Sequence, residues 1–313
     1  MLKKLLQFTL MIEIIVPCFN EEDNIFILYK EVSDVLNELE LDYRILFIDD
    51  GSTDSSWTKI SDLSISNDNI TGIKLSRNFG HQAAIDAGLQ NSSADAIIIM
   101  DGDLQDDPSY LKDLIKKWND GFDIVLAKRI KRRENFLRKF YISIFFRLQS
   151  YLSEINIPAN VGHFSLMDRR VVTEINNFGE KIKYFNGIRA YVGFNIGSIE
   201  VVKSKRRNGE PKMTYRKLFF LGIQGIFGFS SKPLTFIAIL GFIISFGSLI
   251  VSAYAFYFKV RYGTTILGWD FGLSSIYFLS GIQLFALSII GRYVGNIFLE
   301  VKGRPSYIIQ EKV

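Results

Sequence analysis

The sequence predicts an α/β protein in which a doubly wound, mostly parallel sheet is followed by two membrane-spanning helices. Strand-like apolar runs alternate with helix-like segments up to residue 127. Polar and acidic clusters follow three of those runs directly, as they do at the carboxyl ends of buried parallel strands. Two stretches without any charged residue, 233–258 and 271–291, each exceed the roughly 20 residues that a helix needs to cross a bilayer core.

The alternating elements are assigned in order from their apolar patterns. The first strand covers residues 12–17, and the helix over 21–41 carries Ile25, Leu28 and Val32 at helical spacing. The next helix begins near residue 55, with Asp54 or Thr53 as its expected N-cap. The further strands are predicted over 44–48, 70–75, 96–100 and 123–127, and the further helices over 55–63, 80–90 and 110–119.

The pattern changes beyond residue 128. An aromatic-rich helix is predicted over 136–152, and an amphipathic helix over 213–229. The second fits an interfacial helix that lies at a membrane surface, although a helix packed on the soluble domain has the same pattern. We therefore divide the chain into an α/β domain, an interfacial helix, two spans and a tail, over 1–212, 213–231, 232–299 and 300–313.

The distribution of charge predicts a cytoplasmic α/β domain. Basic residues are concentrated before the first span and after the second, whereas the segment between the spans carries Lys259 and Arg261 alone. The positive-inside rule then places both termini in the cytoplasm and the short loop outside. The net charge of +4 is modest, but basic segments beside a membrane attract anionic lipid. They carry no nucleic-acid-binding motif, so membrane lipid and not nucleic acid is the expected partner.

The first 20 residues do not have the pattern of a secretory signal. Glu13 interrupts the apolar stretch, and no small-residue cleavage site follows it. Cys18 is the single cysteine of the chain, which excludes an intrachain disulfide and suits a reducing compartment. We expect Cys18 to be a small filler residue in a turn.

The most informative polar cluster follows the predicted strand over 96–100. Here the apolar run ends in Asp101-Gly102-Asp103-Leu104-Gln105. Carboxylate and amide oxygens are ligands that suit Mg²⁺ or Mn²⁺, and such a metal usually completes its shell with substrate phosphates. The alternative for an isolated Asp-x-Asp is a solvated acidic turn before the helix that begins near Pro108.

Two further clusters follow the first and second strands and strengthen the metal–diphosphate interpretation. Phe19 follows the first strand and can pack against a base, while Asp49 or Asp50 can accept hydrogen bonds from a nucleoside. Gly51 allows a sharp turn and a close approach of its backbone to a ligand. Because parallel strand ends share one edge, the three clusters together predict a nucleotide-binding site.

These motifs, together with a fourth, resemble those of the inverting nucleotide-sugar glycosyltransferases of family 2. Within that family they are similar to the polyprenyl-phosphate glycosyltransferases, which include the bactoprenol glucosyltransferases and dolichol-phosphate mannose synthase. The resemblance runs from about Ile12 through Leu299 and includes the two C-terminal spans. The four motifs are Val16-Pro17-Cys18-Phe19-Asn20-Glu21-Glu22, Asp49-Asp50-Gly51-Ser52-Thr53-Asp54, Arg77-Asn78-Phe79-Gly80-His81-Gln82 and Asp101-Gly102-Asp103-Leu104-Gln105-Asp106-Asp107-Pro108.

The resemblance implies a GT-A fold, which is Rossmann-like, and a role for each matching residue. Asp101 would lie near the ribose and diphosphate, and Asp103 and Gln105 would hold Mg²⁺ or Mn²⁺. Arg129 would lie near a phosphate, while Arg138 would hold the acceptor phosphate or, equally, lie on a solvated helix face. The nucleoside would be surrounded by Pro17, Phe19, Glu21, Asp50 and Ser52, and the basic loop that closes over the site would contain Lys205, Arg206 and Lys212.

The chain departs from the resembled pattern at one position. Bactoprenol glucosyltransferases often have Gly-Asp-Phe-Arg-Leu where this chain has Gly162-His163-Phe164-Ser165-Leu166. His163 therefore stands where an acidic residue is proposed as a base or orienting group, and Asp168 lies five residues further on. His163 is the candidate catalytic residue, with a plain hydrogen-bonding role as the alternative. Asp168 is the lower-ranked candidate for that role, with surface pairing to Arg169 and Arg170 as the alternative.

The resemblance also implies the reaction, which is transfer of a sugar, with UDP-glucose as the favoured donor, to undecaprenyl phosphate with inversion. A phosphate monoester has a second pKa near ~6, so the acceptor is already largely ionised at neutral pH and needs little help from a base. The expected location is the inner membrane of a bacterium, with close helix packing at Gly241 and Gly281 open to a homo-oligomer. Two alternatives stay open, a transferase that extends a lipid-linked glycan and a non-catalytic membrane scaffold.

Overall fold

The computed structural model describes residues 10–130, 158, 160–180, 183–202, 232–263 and 269–313. Several sequence predictions lie outside the described residues. They are Arg138, Lys205, Arg206, Lys212, the helix over 136–152 and the interfacial helix over 213–229.

The described part of the domain is built on one eight-stranded sheet with the order β7-β5-β6-β4-β1-β2-β3-β8. The strands are β1 Ile12–Cys18, β2 Tyr43–Asp49, β3 Ile70–Leu75, β4 Ala96–Ile99, β5 Ile124–Arg129, β6 Val161–Asp168, β7 Ile196–Val201 and β8 Ile309–Lys312.

The sheet is mixed, with a parallel centre. Strand β1 pairs in parallel with β2 and β4, β2 pairs in parallel with β3, and β5 pairs in parallel with β7. Strand β6 runs antiparallel between β4 and β5, and β8 runs antiparallel beside β3. The α/β class and the parallel central strands are confirmed. Because β6 is reversed, its first residues lie at the same edge of the sheet as the carboxyl ends of β4 and β5.

Helices cover both faces of the sheet. They are α1 Ile25–Glu38, α2 Ser56–Ser66, α3 His81–Asn91, α4 Leu111–Asn119, α5 Arg169–Asn177 and α6 Phe185–Tyr191. Ile14 of β1 belongs to a core cluster with residues of α1, α2 and α4, whereas its neighbour Ile15 belongs to a cluster with residues of α3, α5 and α6. Every residue of β1 is buried for this reason, and the sequence of such a strand is apolar almost throughout, with Glu13 as the exception here.

The bounds of β1–β5 and α1–α4 differ from the predicted ones by a few residues at most. The predicted N-cap of α2 was wrong, because Ser55 occupies that position without a side-chain hydrogen bond. Asp54 still binds the helix start, since its Oδ1 accepts a hydrogen bond from the Ser56 N–H at 3.0 Å.

Two long apolar helices follow the domain, α7 Lys232–Tyr262 with 31 residues and α8 Trp269–Val301 with 33 residues. Both helices are long and apolar enough to cross a membrane. The most apolar 18-residue window of each contains no buried residue. A hairpin at the core of a soluble protein would be buried on most sides. The structure therefore disfavours that alternative, in agreement with the two predicted spans.

The segment after α8 returns to the domain and adds β8 to the sheet edge. The Val313 N–H donates to the Gly72 carbonyl at 3.0 Å, and the Gly72 N–H donates to the Val313 carbonyl at 2.8 Å. The sequence analysis assigned residues 300–313 as a tail and predicted no strand there. Strand β8 means that the end of α8 and the α/β domain are tied together.

Candidate active site

The candidate site lies along one edge of the sheet, where the strand directions bring the polar clusters together. The carboxyl ends of β1, β2, β4 and β5 are at this edge, and the pairs Ile99↔Ser165 and Lys128↔Val161 place the start of β6 there as well. The edge therefore unites residues predicted from separate motifs, among them Asp50, Asp101, Arg129 and His163.

The turn after β2 depends on glycine. Gly51 has φ +68°, and a Cβ at this position would lie 2.4 Å from the backbone carbonyl carbon of Arg77. A close contact with backbone cannot be relieved by a side-chain rotation, so the turn requires a residue without a side chain. The close approach holds the loop before α3 against the end of β2.

Asp50 fixes the same loop. Its carboxylate is buried and accepts hydrogen bonds from the Phe79 N–H at 2.7 Å and the Gly80 N–H at 2.9 Å. Burial raises the pKa of Asp50, and the two backbone hydrogen bonds partly offset that rise. In this arrangement both oxygens of Asp50 organise the start of α3, and its role at the nucleoside stays a prediction.

The turn after β1 is linked to the turn after β2. The Asn20 N–H donates to Ser52 Oγ at 2.9 Å, and the Thr53 N–H donates to Asn20 Oδ1 at 2.9 Å. The Glu21 carboxylate accepts a hydrogen bond from Asn24 Nδ2 at 2.6 Å. Ser52 and Glu21 thus have structural partners, and their predicted contacts with a nucleoside are untested.

Pro17 and Phe19 occupy the end of β1 beside these turns. Pro17 is buried and pairs with Ile48, while Phe19 is partly buried in the turn. Both therefore lie at the edge where the sequence placed a base.

Asp101 follows β4 and is paired with a residue that the sequence analysis had not assigned a role. His81 Nε2 lies 3.3 Å from Asp101 Oδ1, and the side chains are 41% and 20% exposed. Desolvation lowers the pKa of His81, but the hydrogen bond and charge of Asp101, with the charges of Asp50 and Asp103, outweigh it and raise the pKa overall. The neighbouring carboxylates thus favour the protonated form of the His81 imidazole next to the Asp-x-Asp turn.

Asp103 and Gln105 lie in a tight turn at the same edge. Leu104, between them, has φ +55°, and the Gln105 N–H donates to Asp103 Oδ1 at 3.2 Å. Among the described residues there is no group of three or more His, Cys, Asp or Glu side chains that could hold a metal. A cation that takes one or two carboxylates from the protein would depend on substrate phosphates for the rest of its shell, and the metal role of Asp103 and Gln105 stays a prediction.

Arg129 ends β5 and crosses the start of β6. A Cβ on Gly162 would lie 2.5 Å from Arg129 Nη2, so the missing side chain at residue 162 leaves room for the guanidinium. The Arg129 N–H donates to the Asn160 carbonyl at 3.0 Å. The predicted phosphate-binding arginine is thus at the edge, beside His163.

His163 is packed among aromatic, amide and cationic side chains. Its ring lies edge-on to His81 at a centroid distance of 4.8 Å, and its Nε2 lies 3.3 Å from Gln82 Nε2. Burial, followed by the charge of His81, lowers the pKa of His163 to about 3, with further lowering by Arg189 and Arg129 that the opposing Asp101 charge does not cancel. His163 is therefore neutral at physiological pH.

Arg189 of α6 forms hydrogen bonds with residues of β6 on either side of His163, and the sequence did not predict this role. It is 2% exposed, and its guanidinium donates to Ser165 Oγ at 2.5 Å, to the Gly162 carbonyl at 2.7 Å and to Asn186 Oδ1 at 2.5 Å. Burial lowers the pKa of Arg189 to about 9. Ser165, a polar residue inside a strand, was the one sequence signal of a buried partner.

Asp168 lies at the opposite end of β6. It accepts a hydrogen bond from Trp118 Nε1 at 3.1 Å and from the Arg170 N–H at 3.1 Å, which caps α5. Five residues of strand separate it from His163, about 17 Å at the usual rise per residue. Asp168 is buried, and the expected pair with a neighbouring arginine is present, since Arg170 Nε lies 3.2 Å from Asp168 Oδ1. Its distance from residue 163 means that it does not take the place of an acid there.

The mixed sheet with an acidic edge is a GT-A fold. Glucosyl-3-phosphoglycerate synthase from Mycobacterium tuberculosis, solved with Mn²⁺, uridine diphosphate and phosphoglyceric acid, is similar with a TM-score of 0.51, 16% identity and coverage of 71% of this chain and 78% of that chain. The likeness supports the fold.

Sequence comparison identifies the family. The model of glycosyl transferase family 2 matches residues 13–175, and the chain belongs to this family. It is 37% identical over 299 residues to the uncharacterized glycosyltransferase YkcC of Bacillus subtilis, covering 95% of this chain and 93% of the relative. It is 36% identical over 301 residues to the bactoprenol glucosyl transferase of Shigella phage SfII, covering 96% and 97%. The family resemblance found in the sequence is confirmed.

Proposed function

We propose that the protein transfers a sugar from a nucleotide sugar to a polyprenyl phosphate at the cytoplasmic face of a bacterial inner membrane. UDP-glucose is the favoured donor, undecaprenyl phosphate is the favoured acceptor, and the reaction inverts the anomeric centre. The relatives named as bactoprenol glucosyl transferases support the acceptor class.

The convergence at the sheet edge is the observation that carries the proposal. Asp101 lies beside the start of β6, where Arg129 crosses Gly162 and His163 contacts His81. Acidic groups and cationic groups therefore face one another across a short edge. This charge pattern suits a substrate pair in which a diphosphate departs and a phosphate attacks.

The apolar helices supply the reason for a lipid acceptor. Their exposed apolar surfaces match a bilayer, and β8 ties the end of α8 to the sheet that carries the site. A polyprenyl tail can remain in the bilayer while its phosphate reaches the edge. We include in the proposal that α7 and α8 form a two-span anchor with both ends on the side of the α/β domain.

The proposed chemistry is a direct displacement. An oxygen of the acceptor phosphate attacks the anomeric carbon, and the bond from that carbon to the nucleoside diphosphate breaks. The acceptor is largely a dianion at neutral pH, so positioning matters more than proton removal. Arg129 is suited to orient a phosphate through its planar guanidinium. Stabilisation of charge in the transition state is then the main contribution of the site.

A divalent cation fits the acidic turn. Asp103 and Gln105 would hold it, with Asp101 beside them, and Mg²⁺ and Mn²⁺ both accept such oxygen ligands. When bound, the cation would neutralise charge on the leaving diphosphate. Asp101 and its partner His81 would keep the turn in place from the side of α3.

The proposal is tested with purified protein in detergent, radiolabelled UDP-glucose and undecaprenyl phosphate. We expect a labelled lipid product that needs Mg²⁺ or Mn²⁺, and Asp103→Ala is expected to abolish transfer while the chain still inserts into membranes. The exposed Asp113→Ala is the matched control and should keep activity. Retained turnover in Asp103→Ala contradicts the metal assignment.

The same assay separates the two alternatives. A product formed from a lipid-linked glycan but not from undecaprenyl phosphate supports the glycan-extending transferase. Failure of the protein to bind any nucleotide sugar in the presence of Mn²⁺ supports a non-catalytic scaffold. The anomeric configuration of the product, measured by NMR, tests inversion.

A further inference from the structure

The hydrogen bonds of Gln82 define the orientation of its amide. The Phe185 backbone N–H can donate a hydrogen bond but cannot accept one, and its nitrogen lies 3.2 Å from Gln82 Oε1. The oxygen of the amide therefore faces α6, and its NH₂ group faces His163. The positions of the amide oxygen and nitrogen are therefore assigned from the Phe185 N–H, which can only donate.

The amide in turn defines the tautomer of His163. Gln82 Nε2 lies 3.3 Å from His163 Nε2, and an amide nitrogen donates hydrogen bonds but does not accept them. His163 Nε2 must therefore accept and carries no proton. A neutral imidazole then has its proton on Nδ1, which has no hydrogen-bond partner among the described residues.

From this geometry we infer that Gln82 is a positioning residue that holds neutral His163 with its proton on Nδ1, so that His163 serves as a hydrogen-bond donor and not as a base. The role in sugar transfer rests on the proposed function, whereas the tautomer does not. Nε2 uses its lone pair to accept the hydrogen bond from Gln82, and the protonated Nδ1 has no lone pair available. His163 thus has no free site at which to take a proton.

The surroundings of His163 support the same conclusion. A proton added at Nε2 would face the NH₂ group of Gln82, which places two donors against each other. Around the ring, His81 lies in edge contact, Arg189 donates to the His163 carbonyl at 3.4 Å, and Arg129 lies beside Gly162. Asp101 is the acidic group in this neighbourhood, and it is paired with His81.

The buried Nδ1–H has a consequence for the reaction. A buried donor without a partner is unfavourable, so a substrate oxygen that reaches Nδ1 on binding would gain a favourable hydrogen bond. Because the acceptor phosphate is already ionised, transfer needs no base at residue 163. His163 would then help to hold a substrate oxygen at the edge of the sheet, next to Arg129.

Nitrogen NMR of histidine tests the tautomer directly, because the chain has 2 histidines and ¹⁵N shifts distinguish the two neutral tautomers from the cation. The spectrum is recorded on ¹⁵N-histidine-labelled protein in detergent, and a His163→Gln sample assigns the signals. We expect His163 to be neutral and protonated at Nδ1 from pH 6 to pH 8. A cationic ring or a proton on Nε2 at pH 7 would overturn the inference.

Gln82→Glu tests the positioning role. A carboxylate accepts from both the Phe185 N–H and His163, so the ring is expected to gain a proton on Nε2. Turnover is expected to fall about tenfold, as for the loss of one favourable hydrogen bond, and the pH profile to change shape. Gln82→Met removes both hydrogen bonds without adding charge, so it should lower turnover while the profile keeps its shape.

Gln310→Glu makes the same charge change on the exposed tail and is expected to alter neither the His163 signals nor the rate. If Gln82→Glu leaves the histidine signals and the pH profile unchanged, the positioning role is wrong. If wild-type protein shows the expected tautomer but transfers no sugar, the proposed function fails and the tautomer stands. If Gln82→Glu does not fold, the wild-type spectrum still decides the tautomer.

Discussion

Gly51 shows how the absence of one side chain holds the candidate site together. Its backbone has a positive φ, and the space that a Cβ would need is filled by backbone atoms of Arg77 and Asn78. The loop that Gly51 contacts is also held by Asp50 and leads into α3, which carries His81 and Gln82. A change at residue 51 therefore reaches the site through the loop.

Gly51→Ala is expected to lower the free energy of unfolding and to reduce sugar transfer. Gly121→Ala is the matched control, since Gly121 also has a positive φ, +102°, but nothing lies within 4 Å of its Cβ position. Both variants incur the backbone cost of about 1 kcal/mol, whereas Gly51→Ala adds a clash with backbone. Urea unfolding of the two proteins measures the difference, and equal loss in both would show that the close approach is unimportant.

Glu13 is a buried carboxylate at the opposite edge of the sheet from the site. It is 2% exposed, and its Oε1 lies 3.8 Å from Arg44 Nη1. Desolvation raises the pKa of Glu13, and a Ser92 hydrogen bond and the charges of Arg44 and Arg169 offset part of the rise. The folded state therefore binds the proton more tightly than the unfolded state. Stability should fall as the pH rises from 4.5 through the folded pKa.

Glu13→Gln is expected to be more stable than wild type at pH 8 and to lose this advantage towards pH 4. The amide removes the cost of a buried charge while it keeps the shape of the side chain. Thermal unfolding at several pH values measures the effect, with the exposed Glu174→Gln as the control. A wild-type protein that gains stability from pH 5 to pH 8 relative to Glu13→Gln would contradict the sign.

Strands differ in how well their sequences reveal them. Strands β1–β5 are predictable because each is a run of apolar residues buried in the sheet. Strand β6 begins at Val161 and contains the polar residues His163 and Ser165. The buried Ser165 accepts a hydrogen bond from Arg189, which is 24 residues away. Strand β7 has exposed residues at Ser198 and Glu200, and β8 is short and pairs with a strand more than 230 residues earlier. Pairing across such distances leaves no local signal.

The residues of the candidate site also differ in how well the sequence predicts them. Asp101 and Asp103 lie shortly after β4, and Arg129 ends β5. The order of the elements therefore predicts that these residues share one edge of the sheet. Gln82 and Arg189 act through side-chain hydrogen bonds from α3 and α6 to β6. Such contacts depend on how the helices pack, which neither spacing nor composition describes.

The segment after α8 forms hydrogen bonds with α3 beside a buried ion pair. Lys183 Nζ lies 2.6 Å from Asp86 Oδ1, with side chains 8% and 4% exposed, and Ser306 Oγ donates to Asp86 Oδ2 at 2.9 Å. Tyr307 donates to Gln90 Oε1 at 2.8 Å. The helix that carries His81 and Gln82 thus also receives the chain that returns from the apolar helices.

Lys183→Met is expected to lower the free energy of unfolding by about 3–5 kcal/mol, because it leaves the Asp86 charge buried without its partner. The double variant Lys183→Met, Asp86→Asn removes both charges and should recover a large part of the loss. Urea unfolding followed by tryptophan fluorescence measures both. Equal destabilisation of the single and double variants would show that lost packing, and not the unpaired charge, is responsible.

The chain leaves the α/β domain before α7 and rejoins its sheet after α8. Helix α7 follows the domain in the chain, and the segment after α8 joins the sheet as β8, next to β3. Two spans that start and finish on one side must place their connection on the other. The basic residues on either side of the pair favour the cytoplasm for the domain.

Cysteine labelling tests this orientation, because Cys18 is the single cysteine and its replacement by alanine gives a cysteine-free background. Tyr262→Cys lies at the end of α7 and Gln310→Cys lies on β8, and both positions are exposed. In intact spheroplasts, a membrane-impermeant maleimide should label Tyr262→Cys. It should label Gln310→Cys only after detergent has been added. Labelling of Gln310→Cys in intact spheroplasts would place the catalytic edge outside, away from the cytoplasmic nucleotide sugars on which the proposed reaction depends.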